Sequence, residues 1–353
     1  MAKPVSLPLQ TLYAELLDRA HMARLSTDFP IGGSFFVNTL KGRRYWYFQE
    51  SNAGASTGPR RKRYVGPDTP ELRRLIEAHR EAKDDFRQRR EMVTALLRAG
   101  FKGPDPITGR VLEAMADGGV FRMRAVVVGT VAYQTYSGLL GLKLADTSAS
   151  TNDLDLAQFA AVSIAVEDTI DLPMEELLKS VDPGFRAIPH ASHRQRVTQY
   201  ALGNHYRVDV LVPNRGPDRE DPVRLPALQA DGLPLRFLDY LIYQEVRAVV
   251  LYGGGIVINV PAPERYALHK LIVSRVRLES AESQAKAVKD RRQAAELISV
   301  LSNQRPYELR EAWEQMLSRG PGWRRRAIEG AKTLPLESLS ALERTVGRIP
   351  DPA

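Results

Sequence analysis

The 353-residue sequence predicts a mixed α+β protein with a mixed-sheet core, an N-terminal region built of a helix and a basic β-hairpin, and a helical C-terminal region. Three observations predict it. Short buried-type runs, such as Val126–Val128 and Val208–Val212, alternate with stretches of helical spacing through the middle of the chain. The last third is mostly of helical spacing. The first hundred residues also stand apart electrostatically: they hold 18 Lys/Arg against 11 Asp/Glu, so +7 of the net +8 lies there. Such segregation points to a polyanionic partner for that part. The expected parts are 1–103, 104–215 and 216–353.

Composition removes several classes of function. With no cysteine, disulfides, thiolate metal sites and cysteine nucleophiles are excluded. No apolar run approaches the roughly 20 residues that span a bilayer, so no membrane segment is expected. The opening MAKPVSLPLQTLYAELLDRA lacks the basic-then-apolar pattern of a secretory signal, and a cytoplasmic location is expected.

Taken in order, Leu7 to Leu25 has helical spacing, and STDFP ends it. Two strand-like runs follow, Gly42–Gln49 and Arg60–Gly66, joined by the hairpin loop SNAGASTGP. Arg43, Arg44, Arg60, Arg61, Lys62 and Arg63 interleave there with Tyr45, Trp46, Tyr47, Phe48 and Tyr64. Two readings fit that alternation. Cations and exposed rings can hold phosphates and unpaired bases, or one aromatic face packs inward beneath a solvated basic face.

Thr69-Pro70 then opens a long helix to about Arg98, with Gly100 as its stop and Gly103–Pro106 as a boundary. VLEAMADGG reads as a helix, Phe121–Gly129 as a strand, Gly129-Thr130 as a sharp turn, and VAYQTYSGLL as the start of a helix. RQRVTQYALGNHYRVDVLVP reads as a hairpin turning at Gly203-Asn204. A strand pair is expected around Gly253–Gly255, which reads as a turn and not a phosphate loop.

The stretch TNDLDLA, 151–157, places Asp153 and Asp155 on one face of a strand and Leu154 and Leu156 on the other. Carboxylates about 7 Å apart repel unless a cation lies between them. Hard oxygen ligands suit Mg²⁺, and a solvent-facing edge strand is the alternative. Asp209 is a third carboxylate, isolated in the apolar YRVDVLV. Arg207 shares its face and can pair with it or neutralise phosphate. A Gly129-Thr130 turn at a helix start offers backbone N–H groups and a hydroxyl to phosphate. His190, His193, His205 and His269 lack metal-ligand spacing and are expected on hairpin or helix surfaces. Arg319–Ala327, RGPGWRRRA, is expected as a solvated turn that could extend a nucleic-acid surface.

The order Gly-Thr, Asp-x-Asp, lone strand Asp resembles the polymerase-beta-like nucleotidyltransferase superfamily. The gap from Thr130 to Asp153 is about twice the usual one. The longer gap resembles instead a bacterial family described only as nucleotidyltransferase-fold proteins, with likeness from about Leu7 to Arg326. INVPAPERYALHKL and KDRRQAAELI are also similar to AbiEii-type and MenT-type nucleotidyltransferases. The resemblance implies an enzyme of the EC 2.7.7 type, moving a nucleoside monophosphate from an NTP with Mg²⁺ (or Mn²⁺). It implies Asp153, Asp155 and Asp209 as metal-binding and catalytic groups and Gly129 and Thr130 around phosphate. It further implies Lys270 at the triphosphate and Asp290 at the edge of the site. RNA, plausibly a tRNA end, is the favoured acceptor because of the basic hairpin. The alternatives are a nucleic-acid-binding protein with an idle fold, or a toxin-like enzyme held by an antitoxin-like partner and modifying a protein or small molecule.

Overall fold

The computed structural model describes residues 3–23, 29, 31–40, 42–49, 62–145, 152–166, 168–214, 216–278 and 284–350. The N-terminal part runs β1 (Lys3–Pro4), α1 (Leu7–Ala23), β2 (Ser34–Leu40), β3 (Arg43–Gln49), β4 (Lys62–Pro67) and α2 (Pro70–Arg98). Helix α2 starts and stops where its punctuation dictates. Thr69 Oγ1 accepts from Leu72 N at 3.3 Å, and Pro70 fills the first helical position, where no N–H is needed. The expected hairpin proves to be two strands of a three-stranded antiparallel sheet, ordered β2-β3-β4. SFFVNTL supplies the unanticipated strand, and its Phe35 packs at 4.9 Å between ring centroids on Phe48. The expected residues Arg60 and Arg61 lie outside the described residues.

The middle of the chain holds α3 (Pro106–Asp117), β5 (Val126–Val128), α4 (Gly129–Leu139), β6 (Leu142–Lys143), β7 (Asp153–Ala157), α5 (Ala160–Ala165), α6 (Met174–Val181), β8 (Phe185–Pro189), β9 (Val197–Leu202) and β10 (Tyr206–Asn214). In the segment expected as a boundary, Asp105 caps α3 by accepting from the N–H groups of Ile107 and Thr108 at 3.1 and 3.0 Å. One expectation is corrected here. The strand expected from Phe121 begins only at Val126. Arg124 takes φ +60 and turns the chain, while Phe121 and Met123 are buried within the turn.

Next come β11 (Val223–Leu225), β12 (Ala230–Arg236), α7 (Leu238–Leu241), β13 (Val246–Val250) and β14 (Ile256–Val260). Five helices follow: α8 (Pro263–Leu278), α9 (Gln284–Gln304), α10 (Pro306–Leu317), α11 (Pro321–Ala331) and α12 (Leu336–Val346). The expected strand pair at the glycine triplet is β13–β14. The basic patch at 319–327 is not a solvated turn. Most of it lies in α11, whose Trp323 packs edge-on against Phe237 at 4.7 Å, and Arg319 pairs with Asp239.

The central sheet has seven strands, with β11-β12-β10-β7-β5 as its main path and β9 and β8 joined through β10. Strand β7 runs parallel to β10 and antiparallel to β5. The other side of β10 is shared: Tyr206–Asp209 pair with β9, and Leu211–Asn214 pair with β12. Leu154, Leu156, Val208 and Val210 are completely buried. By strand alternation, Asp153, Asp155, Arg207 and Asp209 occupy the opposite face. One apolar cluster joins these strands to α8 through α12, and a smaller one joins α1, the C-terminal half of α2 and β13–β14. No described helix is long and apolar enough to cross a membrane.

Candidate active site

The register of two parallel strands assembles the acidic face. Asp155 pairs with Asp209 and Asp153 with Arg207, across a spacing of about 4.8 Å between neighbouring strands. On the other side of β7, Val128 pairs with Asp155, so the end of β5 delivers Gly129 beside the same carboxylate. Three segments distant in sequence therefore meet on one face of the sheet, where β5 ends.

Gly129 is required there for two reasons. Its φ is +73, a region that an L side chain occupies only at a cost. A Cβ at this position would stand 2.7 Å from Asp155 Oδ2. The glycine also opens α4, whose first residue is preceded by Val128 with no side-chain cap. The first N–H groups of α4 thus receive no side-chain cap, and the Thr130 hydroxyl lies in the same first turn. That hydroxyl accepts from Lys289 Nζ at 3.2 Å, while Tyr266 OH donates to Gly129 O at 3.0 Å. Helices α9 and α8 so reach back across the turn.

The carboxylates are held against their own repulsion. Burial, then Asp209 and Asp153, push Asp155 from 3.8 to about 6. Asp209 is also raised, first by burial and then by Asp153, although Gln199 Nε2 donates to its Oδ1 at 2.5 Å. Gln199 is the residue opposite Asp209 on β9, so it fixes the carboxylate's orientation. Asp153 lies at the exposed start of β7. Among the described residues, no three acidic or histidine side chains gather tightly enough to hold an ion by themselves. The donor set nevertheless fits a hard cation, because a positive ion at this edge relieves the strain that raises Asp155. Mg²⁺ commonly takes only one or two carboxylates and completes its shell with water and substrate phosphates.

Lys270 and Asp290 meet, but not as two groups facing open space. Lys270 Nζ donates to Asp290 Oδ1 at 2.5 Å, and Arg277 holds the other carboxylate oxygen. The Asp290 side chain is 2% exposed and that of Lys270 13%. Burial lowers the lysine's pKa, with Asp290 opposing it. Lys270 and Arg277 also lower Asp155, so these two cations offset part of the repulsion there. His269, expected on a helix surface, is buried instead, and burial drives its ring down to about 3, so it stays neutral.

The small basic sheet divides its aromatics between two faces. Trp46 and Phe48 are buried; Tyr45, Tyr47 and Tyr64 cluster on the other face, with Tyr64 54% exposed. Arg43, Arg44, Lys62 and Arg63 are exposed. Arg44 lies 3.6 Å from Asp68, Lys62 lies over Phe36, and Arg63 stands 4.8 Å from the Phe29 ring. One face of this sheet is core, and the other carries rings and cations together.

Sequence reasoning missed Lys289, Arg277, Tyr266 and Gln199. The Lys289-Asp290 pair was visible, but only Asp290 was singled out; Gln199 carried no signal beyond its place in a hairpin.

A nucleotidyltransferase family matches residues 107–318, more than half of the chain. The chain belongs to that family. The matched span holds Gly129, Thr130, all three aspartates, Lys270 and Lys289. No curated protein matches. Among solved structures, an antigenic nucleotidyltransferase-like protein from Paracoccidioides brasiliensis is similar over 70% of this chain and 96% of its own, at 14% identity and a TM-score of 0.33.

Proposed function

We propose that the protein transfers a nucleoside monophosphate from an NTP to an RNA acceptor, using Asp153, Asp155 and Asp209 with a divalent cation. The observation that carries this reading is the in-register pairing of Asp155 with Asp209 beside the Gly129 turn. In the reaction an acceptor hydroxyl loses its proton and attacks the α-phosphorus. The bond to the β-phosphate oxygen breaks, and pyrophosphate leaves. Asp153, Asp155 and Asp209 would hold Mg²⁺ or Mn²⁺, which when bound supplies charge neutralisation for the triphosphate and the departing pyrophosphate.

The chain's own groups do the rest. The uncapped start of α4 and the Thr130 hydroxyl bind phosphate oxygens, and Lys289 adds a positive charge beside that hydroxyl. Gln199 keeps Asp209 oriented toward the reacting edge. Asp209, which Gln199 orients, is the proton acceptor in this reading.

The test incubates the protein with each α-labelled NTP, Mg²⁺ and total cellular RNA or protein extract. Label in the RNA fraction, lost in Asp155→Asn, is the expected result. Label in protein or in neither fraction would overturn the RNA reading.

A further inference from the structure

A groove of about 2160 Å³ lies between α2 and the end of α1 on one side and the α3–β5 turn with the β13–β14 hairpin on the other. Pockets for small ligands are about 300–1,000 Å³, so this one is sized for a macromolecule. Asn259 lines it and donates to Phe121 O and Ala125 O at 2.9 and 3.0 Å, which sets the groove at the start of β5. Gly129 lies at the other end of that strand, about 13 Å further on.

The charge of the groove is built on one helix stripe. Lys83, Arg87, Arg90 and Arg98 line it from α2 at spacings that return to one face, over about 22 Å of helix. Arg122, Arg124 and Arg247 line the other walls. In all, eight Lys/Arg and five Asp/Glu line it, while Asp85, Asp168 and Asp171 just outside the lining pair with Arg89 and Arg122. Six of these cations are already engaged: Lys83 with Gly33 O, Arg87 with Asp84, Arg89 with Asp85, Arg122 with Asp168 and Asp171, Arg124 with Glu245, and Arg247 with His21. Arg90 and Arg98 are exposed and have no ion pair among the described residues. The apolar groups offer little to a protein partner, because Phe121 is buried and Phe86 lies beneath the Arg89 guanidinium at 5.4 Å.

We propose that this groove is a second binding site that holds the phosphodiester backbone of RNA, separate from the catalytic edge. The proposal rests on the RNA reading of the acceptor. Spaced guanidinium groups bind phosphates bidentately and release counterions as they do so. A strand seated along α2 is positioned by its backbone, and the acidic edge acts on a more distant nucleotide.

The experiment compares the unmodified protein with Arg90→Gln/Arg98→Gln, using a fluorescently labelled single-stranded RNA in the presence of EDTA across a salt series. The expected result is at least about tenfold weaker binding, with the slope of log K against log salt flatter by about 1.4, two contacts at 0.7 each. Unfolding midpoint and NTP-induced stabilisation should match the unmodified protein. Unchanged affinity and slope overturn the groove, as does poly-glutamate binding as tightly as RNA. Label transfer to RNA alongside unchanged binding in the variant would refute the groove and keep the proposed reaction. Weakened binding in the variant, with no label reaching RNA in the unmodified protein, would keep the groove and refute the reaction.

Discussion

Replacing Asp155 by Asn should make the metal-free protein more stable, and only above a definite pH. In the fold this carboxyl titrates near 6 in place of 3.8, through burial and the nearby Asp209 and Asp153. A raised folded-state pKa means that the folded protein keeps a proton that the unfolded chain has released. Between about pH 4 and pH 6 the unfolded state therefore binds fewer protons, and stability falls as pH rises. At 1.36 kcal/mol per pH unit, the loss reaches about 3 kcal/mol above pH 6. The amide carries no charge and escapes that loss. Urea unfolding at 25 °C in EDTA, repeated from pH 4 to pH 8, measures it. The two proteins should coincide near pH 4 and diverge to about 3 kcal/mol by pH 8. With Mg²⁺ and NTP the order should narrow or reverse, as the cation now favours the carboxylate. An Asn variant less stable at pH 8, or a difference independent of pH, would refute the picture of a repelling acidic edge.

Three further outcomes follow from the same geometry. Mg²⁺ plus NTP at a hundredfold excess over Kd should stabilise the unmodified protein by about 2.7 kcal/mol, and Asp209→Asn should lose most of that gain in thermal unfolding. Gly129→Ala should cost about 1–2 kcal/mol in urea unfolding, from its positive φ. The added methyl meets Asp155 Oδ2, so NTP-induced stabilisation should fall with it. Asp290→Ala should destabilise by roughly 3–5 kcal/mol, because it strands Lys270 and Arg277 beside each other. An effect under 1 kcal/mol would show that water compensates them.

The sequence revealed what depends on local pattern. Thr69, Pro70 and Gly100 punctuate α2, and valine runs mark β5 and β10, so these elements could be read directly. The Asp-x-Asp face followed from strand alternation alone. Strand β12 was concealed by Gly232 and Pro234, residues that argue against a strand, yet it pairs in parallel with β10. Helices α5 and α6 between β7 and β8 span only six and eight residues, and although α6 buries Met174, Leu177 and Leu178, its stripe is too short to repeat. The site's positive half was harder still. Lys289 and Thr130 are separated by 159 residues, and only the return of α9 across α4 brings them together. The arginines of α2 each look like ordinary solvated charge until the opposite wall is in place.

The length of α2 has a mechanical consequence. Its C-terminal half is anchored: Met92, Val93 and Leu96 are buried with α1, and Arg89 donates to Gly254 O at 2.5 Å. Its N-terminal half carries the basic sheet, through Lys83 to Gly33 O and His79 against Phe35 and Phe48. At 29 residues the helix is about 44 Å long, a stiff lever with its load at the free end. The free arm from Arg89 to Pro70 is about 28 Å, so a tilt of about 5° carries its tip through roughly 2.5 Å. Arg90 and Arg98 belong to the anchored half, so such a tilt would shift the sheet while leaving that wall of the groove in place.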